Sequence, residues 1–323
     1  MAQIPFRIAV AACCSLICSA AGAQQNYPNK PVVMVLPIAP GSSTDRDGRV
    51  IMNKVSENVG QQIVFDYKPG ASPIGMGYVA RSTPDGYTFL LMSAAISLVP
   101  LVEDELPFDG IKAFAPVSLL AKKWGTFTAT MTLPANNVAE FVAYVKANPG
   151  VVNYATSGAG KGQHLTGLWI QSMTGVEMTY VHYKGGGPAQ ADLIAGRVHV
   201  ASMALSTAAA LQKAGKLKIL GMANLTRNPA YPDIPTLHEQ GWKDFEYISW
   251  MGVSAPAKTP TAIVNRMSTE LSKAVKSPDV VKRLGAENLL VGSTPDEFRR
   301  VISNETETWR KIVKANNIKV ELE

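Results

Sequence analysis

Beyond Cys18 the chain has no cysteine, and its three cysteines, Cys13, Cys14 and Cys18, crowd into the first stretch. Over the rest of its length it therefore makes no disulfide, offers no thiol nucleophile and holds no cysteine-ligated metal. Histidine is nearly as scarce: His164, His182, His199 and His238 are the four. None stands in an H-E-x-x-H or H-x-H pair, and no G-x-S-x-G elbow occurs, so zinc and serine hydrolases find no motif here. Charged residues make up 17% of the chain, and basic residues run no longer than pairs such as Lys122-Lys123. A net charge of +6 spread this thinly gives no basic stripe for nucleic acid. No apolar run reaches the roughly 20 residues that a membrane-spanning helix requires.

What is present begins with a leader pattern. Arg7 precedes the apolar run IAVAACCSLICSA, and Ala21-Gly22-Ala23 supplies a small-x-small cleavage site. Residues 1–23 read as a signal peptide, with the mature chain starting near Gln24. A lipoprotein reading through Cys18 is weak because Ile17, not a small residue, precedes it. Loss of the leader removes Arg7 and no acid, so the net charge falls from +6 to +5. It also removes every cysteine. Export without disulfides fits a bacterial periplasm, where a large, well-packed domain needs no staples.

The rest alternates short apolar runs with helical patterns. VVMVL (Val32–Leu36) reads as a buried strand, and Ile51, Val55 and Val59 recur at helical spacing up to Gly60. Further strand-turn-helix units follow through TFLLMS, and a second series starts near Phe127 and ends at KLKILGMA. After a Pro-rich stretch, YISWMGVSAP reads as a strand and three helices close the chain, over Pro260–Ser277, Pro278–Leu284 and Pro295–Asn316. Repeated β-α-β units predict an α/β protein with parallel sheets and ligand-binding turns at the strands' C-terminal ends. The late return predicts a discontinuous first domain, residues 24–124 plus 251–323, and a second of residues 125–250 around a hinged cleft.

Two turns carry the functional signal. In PIAPGSSTDRDG, Ser42, Ser43, Thr44 and Asp45 open a helix after a strand. In YATSGAGKGQHL, Thr156, Ser157, Gly158, Ala159 and Gly160 do the same, with His164 in the helix that follows. Helix starts expose unpaired N–H groups and a partial positive charge, which suit carboxylates and phosphates. Neither turn fits the Walker or the dinucleotide-binding pattern, since Lys161 is followed by Gly162 and Gln163. Two such helix starts, one per domain, would hold a small anion without a catalytic group. Ser93 and Ala94 after TFLLM, and Ser202 in RVHVASM, complete the candidate ligand set. A His164/Ser157/Asp45 relay stays open, but no spacing specifically supports it.

These segments resemble the Bug-type periplasmic solute receptors of tripartite tricarboxylate transporters. The resemblance spans the whole mature chain through landmarks such as YPNKPVVMVLPIAPGSSTD, STPDGYTFLL, VNYATSGAGKGQHL, YKGGGPAQADLIAGRV and RNPAYPDIPTLHEQG. It implies a type II periplasmic binding-protein fold that closes on a small carboxylate. It implies a membrane permease of one large and one small subunit as partner, no cofactor and no metal. It also implies that the turns matching Pro40–Asp45 and Thr156–His164 hold the carboxylates, partly through water. Here Ser42 stands where the family usually has a second glycine, and Ala201-Ser202-Met203 where it often has an aspartate. A roomier, more apolar pocket is expected, suited to an aromatic or hydrophobic carboxylate such as a terephthalate-like dicarboxylate. The expected state is a monomer. A carboxylate receptor for a signalling partner and a hydrolase or isomerase using the same cleft are the alternative readings.

Overall fold

The computed structural model of the protein describes residues 27–38, 40, 43–68, 72–94, 97, 101, 106, 108–158, 162–183, 186–246 and 249–315. The expected leader lies outside these residues. No helix among them is long and apolar enough to cross a membrane.

The described strands form two sheets. The first has the order β11-β4-β10-β3-β1-β2. Its members are β1 (Val32–Leu36), β2 (Ile63–Tyr67), β3 (Thr88–Met92), β4 (Phe114–Lys123), β10 (Trp250–Pro256) and β11 (Asn288–Leu290). The second has the order β7-β6-β8-β5-β9, built from β5 (Gly125–Thr130), β6 (Asn153–Thr156), β7 (Thr179–His182), β8 (Val200–Ala204) and β9 (Leu217–Met222). Each sheet is mixed rather than wholly parallel. In the first, β10 runs antiparallel to both β3 and β4, and in the second β5 runs antiparallel to both β8 and β9. The reason lies in the two crossings between sheets. A strand that arrives from the other sheet enters from the opposite end, so it must run against its neighbours.

Helices cover both sheets, and each sheet with its helices is a lobe. In the first lobe are α1 (Ser43–Val59), α2 (Ser72–Ala80), α7 (Thr261–Val275), α8 (Pro278–Leu284) and α9 (Pro295–Ala315). In the second are α3 (Val138–Ala147), α4 (Gly162–Thr174), α5 (Gly186–Ile194) and α6 (Leu205–Lys213). Helix α1 forms because Ile51, Met52 and Val55 recur on one face, and all three are at most 1% exposed. Burying such a side chain contributes roughly 1.5–3 kcal/mol. The helix lies so close to β3 that a Cβ on Gly48 would meet Leu91 Cδ2 at 2.6 Å. That approach fixes where the first turn of α1 sits.

The first of the two crossings between the lobes is a single residue, Trp124, between β4 and β5. Its N–H donates to the Glu287 carbonyl of the first lobe at 3.4 Å, and its carbonyl accepts from Leu205 N–H of the second at 2.9 Å. Asn224 clamps the crossing: its amide oxygen accepts from Gly125 N–H at 3.0 Å and its amide nitrogen donates to the Lys123 carbonyl at 3.3 Å. The C-terminal helix α9 makes a second junction. Trp309 packs against Leu165 and, edge to face at 5.9 Å, against Trp169 of α4. One turn earlier, Glu305 accepts from Ser97 Oγ at 2.7 Å and Trp250 Nε1 at 2.9 Å. Burial raises its carboxyl to about 7.

Candidate functional site

A cleft of about 440 Å³ lies between the lobes, where the strands of both sheets end. From the first lobe it is lined by Arg46, Lys123, Ser249 and Glu287. From the second it is lined by Thr126, Gln163, Ser202, Met203, Ser206 and Thr207, and Trp124 joins the two. A cavity of this size takes a small organic molecule.

The first strand-to-helix turn supplies Arg46, while its acids are engaged elsewhere. Asp45, 4% exposed, accepts from Arg49 Nε at 2.9 Å and from the Tyr67 hydroxyl at 2.5 Å. This ties α1 to β2, and the Arg49 guanidinium also lies over the Phe65 ring. Burial, together with the hydrogen bond to Asp45, raises the Tyr67 hydroxyl above its ordinary value. Asp47 accepts from the Lys123 ammonium in an ion pair and from Asn288 Nδ2 at 3.2 Å, joining α1 to β4 and β11. Thr44 borders a much smaller space beside this pair, with Ser249 and Trp250.

The second turn is organised by Gln163. Its side-chain oxygen accepts from Ser157 N–H at 2.8 Å and its side-chain nitrogen donates to the Ser202 carbonyl at 2.7 Å. One residue thus draws the ends of β6 and β8 together at the cleft. Ser202 Oγ, 2.8 Å from the Tyr154 hydroxyl, shares a hydrogen bond with it. Gly158 has φ 145°, a conformation that L side chains rarely adopt, and its N–H donates to Thr156 Oγ1 at 3.2 Å. Thr156 Oγ1 also lies 2.7 Å from His182 Nδ1.

His164 sits behind this turn, its ring centroid 4.9 Å from that of Tyr180 and 4.7 Å from that of His182. Burial, with a smaller contribution from His182, lowers its pKa to about 4. Burial also lowers that of His182. Neutral imidazoles back a turn whose described residues, Thr156, Ser157 and Gly158, carry no charge.

A third helix start opens on the cleft. Helix α6 begins at Leu205 after Ala204, an N-cap with no side-chain hydrogen bond, and Ser206 and Thr207 occupy its first turn. Elsewhere in the lobe, α3 is capped by Asn137, whose side chain accepts from Glu140 N–H. Leu205 N–H is taken by the Trp124 carbonyl, and no side-chain cap covers the next N–H groups of α6, those of Ser206 and Thr207, which face the cleft end of the helix.

Of the residues singled out in the sequence, Ser202 lines the cleft. Thr156, Ser157 and Gly158 form the turn that Gln163 holds beside it. Ser42, Ala159, Gly160 and the side chain of Ser43 lie outside the described residues. Ser93 and Ala94 follow β3 and are half-buried, with Ala94 packed on the core cluster of Val35, Leu90 and Phe298. Gln163, Arg46, Trp124 and the start of α6 were not singled out. The one available signal was for α6, where an alanine stands before a helical run and no Ser, Thr, Asp or Asn caps it. Among the described residues no group of three or more His, Cys, Asp or Glu could hold a metal ion.

Two lobes, in each of which the strand that arrives from the other lobe, β10 in the first and β5 in the second, runs antiparallel to both of its neighbours, define a two-lobed binding protein with a cleft between sheets. A family model for tripartite tricarboxylate transporter family receptors matches residues 48–318, and the chain belongs to that family. It is 30% identical to BugT of Bordetella pertussis over 302 residues, covering 91% of each chain. Among solved structures, Rpa4515 of R. palustris with adipate matches with a TM-score of 0.76 at 32% identity, covering 91% of this chain and 99% of that one. MatC from Rhodopseudomonas palustris with bound malate matches with a TM-score of 0.70 at 28% identity, covering 89% and 100%. The fold is that of type II periplasmic binding proteins. The family and its structural neighbours are solute-binding receptors, and its members act in the periplasm.

Proposed function

We propose that the protein captures a small organic carboxylate in the periplasm and delivers it to the integral-membrane subunits of a tripartite tricarboxylate-type transporter. The observation that carries this reading is the interlobe cleft, where an uncapped helix start and the hydroxyls of Ser202, Ser206 and Thr207 converge. These groups donate hydrogen bonds to an anion, and none of them is a nucleophile activated by a base. Relatives bound to adipate and malate support the carboxylate class. Trp124, Met203, Ala204 and Ala223 give the cleft an apolar side, which favours an aromatic or hydrophobic body such as that of terephthalate. Residues 24–124 with 251–323, and residues 125–250, are the two bodies that close on the ligand, after export removes residues 1–23.

A thermal-shift screen of aliphatic and aromatic mono-, di- and tricarboxylates tests this. A ligand at 100 times its Kd adds about 2.7 kcal/mol to stability. A clear rise in Tm with one class, and a smaller radius of gyration by solution scattering with that ligand bound, are expected. No shift with any carboxylate, from protein stripped of ligand by refolding, would overturn the reading. A shift with aliphatic but not aromatic acids would overturn the aromatic preference alone.

A further inference from the structure

A second cavity between the lobes, of about 380 Å³, lies across the hinge strands from the cleft. Neighbouring residues of an extended chain point to opposite sides. Lys123 and Ser249 therefore line the cleft, while Lys122 and Trp250, one position away, line this second cavity. Trp169 and Leu225 border it from the second lobe, and Glu305 and Trp309 of α9 from the first. Both cavities flank the strands that carry the chain between the lobes. A rotation of the lobes about those strands reshapes the two together.

The carboxyl of Glu305 stands where the parts of this junction meet. Its helix is fixed to the first sheet through Phe298 and Ile302, both buried. Its Oε2 holds Ser97, which lies beyond β3, and the indole of Trp250, the first residue of β10. One turn further on, Trp309 reaches Leu165 and Trp169 of α4 in the other lobe. Among the described residues, the charged groups that share the cavity with Glu305 are Lys122, Glu246 and Asp244. Lys122 of β4 is paired with Glu246 at 3.0 Å, and Asp244 is turned to solvent. Helix α4 and strand β10 bring only Trp169 and Trp250 to this cavity, neither of them charged. Burial therefore outweighs the hydrogen bonds and the Lys122 charge that favour the carboxylate, which leaves Glu305 at about 7 against an ordinary 4.5.

A carboxyl whose protonation depends on how closely two lobes pack responds to any change in that packing. Building on the hinged carboxylate-receptor reading above, we propose that Glu305 is a proton-linked latch between the lobes: capture of a carboxylate in the cleft shifts α9 against α4, changes the access of water to the Glu305 carboxyl and so exchanges a proton with the solvent. The proton leaves to solvent when the junction parts and returns when it packs. Affinity in the cleft and external pH are then coupled through a residue outside the cleft.

Calorimetric titration of the purified protein and its Glu305→Gln variant with adipate, malate and terephthalate, each in two buffers of different ionisation enthalpy, counts the protons exchanged. At pH 7 an acid that binds exchanges up to about half a proton per molecule, and at pH 8.5 almost none, the scale set by a carboxyl moving between about 7 and its ordinary value. Affinity changes by up to about tenfold between pH 6 and pH 8. Release shows that capture parts the junction, and uptake that capture packs it. Glu305→Gln keeps the size of the side chain and an acceptor for Trp250, and it loses both the exchange and this pH dependence. Exchange of less than about a tenth of a proton at pH 7 by the unaltered protein, or the same exchange by Glu305→Gln, overturns the latch and leaves the carboxylate receptor standing. Should the variant not fold, exchange that persists undiminished at pH 8.5 in the unaltered protein overturns it instead. Failure of all three acids to bind removes both readings.

Discussion

The two walls of the cleft are built on different principles. The first-lobe wall is charged and tightly paired: Asp45 with Arg49, Asp47 with Lys123 and Asn288, and Arg46 between them on the cleft. Among the described residues the second-lobe wall is neutral, and it is held by hydrogen bonds through one glutamine, with imidazoles behind it that burial keeps uncharged. Both begin as the same strand-to-helix turn. The difference shows that a helix start does not fix the character of a site. The side chains around it decide whether it acts by charge or by donors alone.

The comparison breaks most sharply at Asp47. Asp47→Ala leaves Lys123 without its partner at the edge of the cleft and should destabilise the protein by about 3 kcal/mol, read from urea unfolding. Asp47→Ala combined with Lys123→Met should recover most of that loss. If the single variant is as stable as the parent, the pair does not hold the first wall.

Acid should strain the second wall next. The His164 pKa, about 4 in the folded protein against an ordinary 6.5, means that the unfolded chain takes up the proton first. Its contribution to stability is therefore intact above pH 6.5 and is lost as pH falls towards 4, by up to about 3 kcal/mol. His164→Phe, which keeps a ring against Tyr180, should flatten this part of the Tm-against-pH curve. An identical slope in the variant would mean that His164 is not the group responsible.

Gln163→Ala removes both hydrogen bonds that join the β6 and β8 ends. A loss of about 2 kcal/mol is expected, together with weaker ligand binding, since the wall would no longer be preorganised. Unfolding and calorimetric titrations on the same sample separate the two effects. Ala204→Ser is the smallest and most diagnostic change. A serine cap should stabilise α6 by about 1 kcal/mol and weaken anion binding, because it takes the N–H groups a ligand would use. A stabilised variant that binds as tightly as the parent would remove α6 from the site.

Much of this architecture was legible in the chain. The spacing of Ile51, Val55 and Val59 placed α1, and the glycine and proline punctuation placed most later elements, because local periodicity and turn chemistry are written in adjacent residues. The antiparallel course of β5 and β10 was not legible, since strand direction depends on where the chain comes from rather than on its composition. Strand β11 has three residues and exists through its pairing with β4, which no local signal announces. The turns at Ser42–Asp45 and Thr156–Gly160 drew notice through their hydroxyls and glycines. Gln163 and Arg46 did not, because a single polar residue carries no pattern until the fold shows what it faces. The partnership of Asp45 with Tyr67 spans a strand and a helix, so only the Arg49 half, at i+4 spacing, could be read in advance.

The place of β10 has a consequence for how the chain acquires its form. The second sheet is made from one continuous stretch, Gly125–Met222, and can assemble as soon as that stretch is available. The first sheet cannot close at its centre until Trp250–Pro256 slides between β3 and β4. Until then it has an open slot flanked by unpaired strand edges. As the chain emerges in order of synthesis, the later-encoded lobe should consolidate while the earlier one waits, exposed to wrong pairings. Order of synthesis and order of folding then run in opposite directions, and that half-built sheet is the stage at which a holding chaperone would matter most.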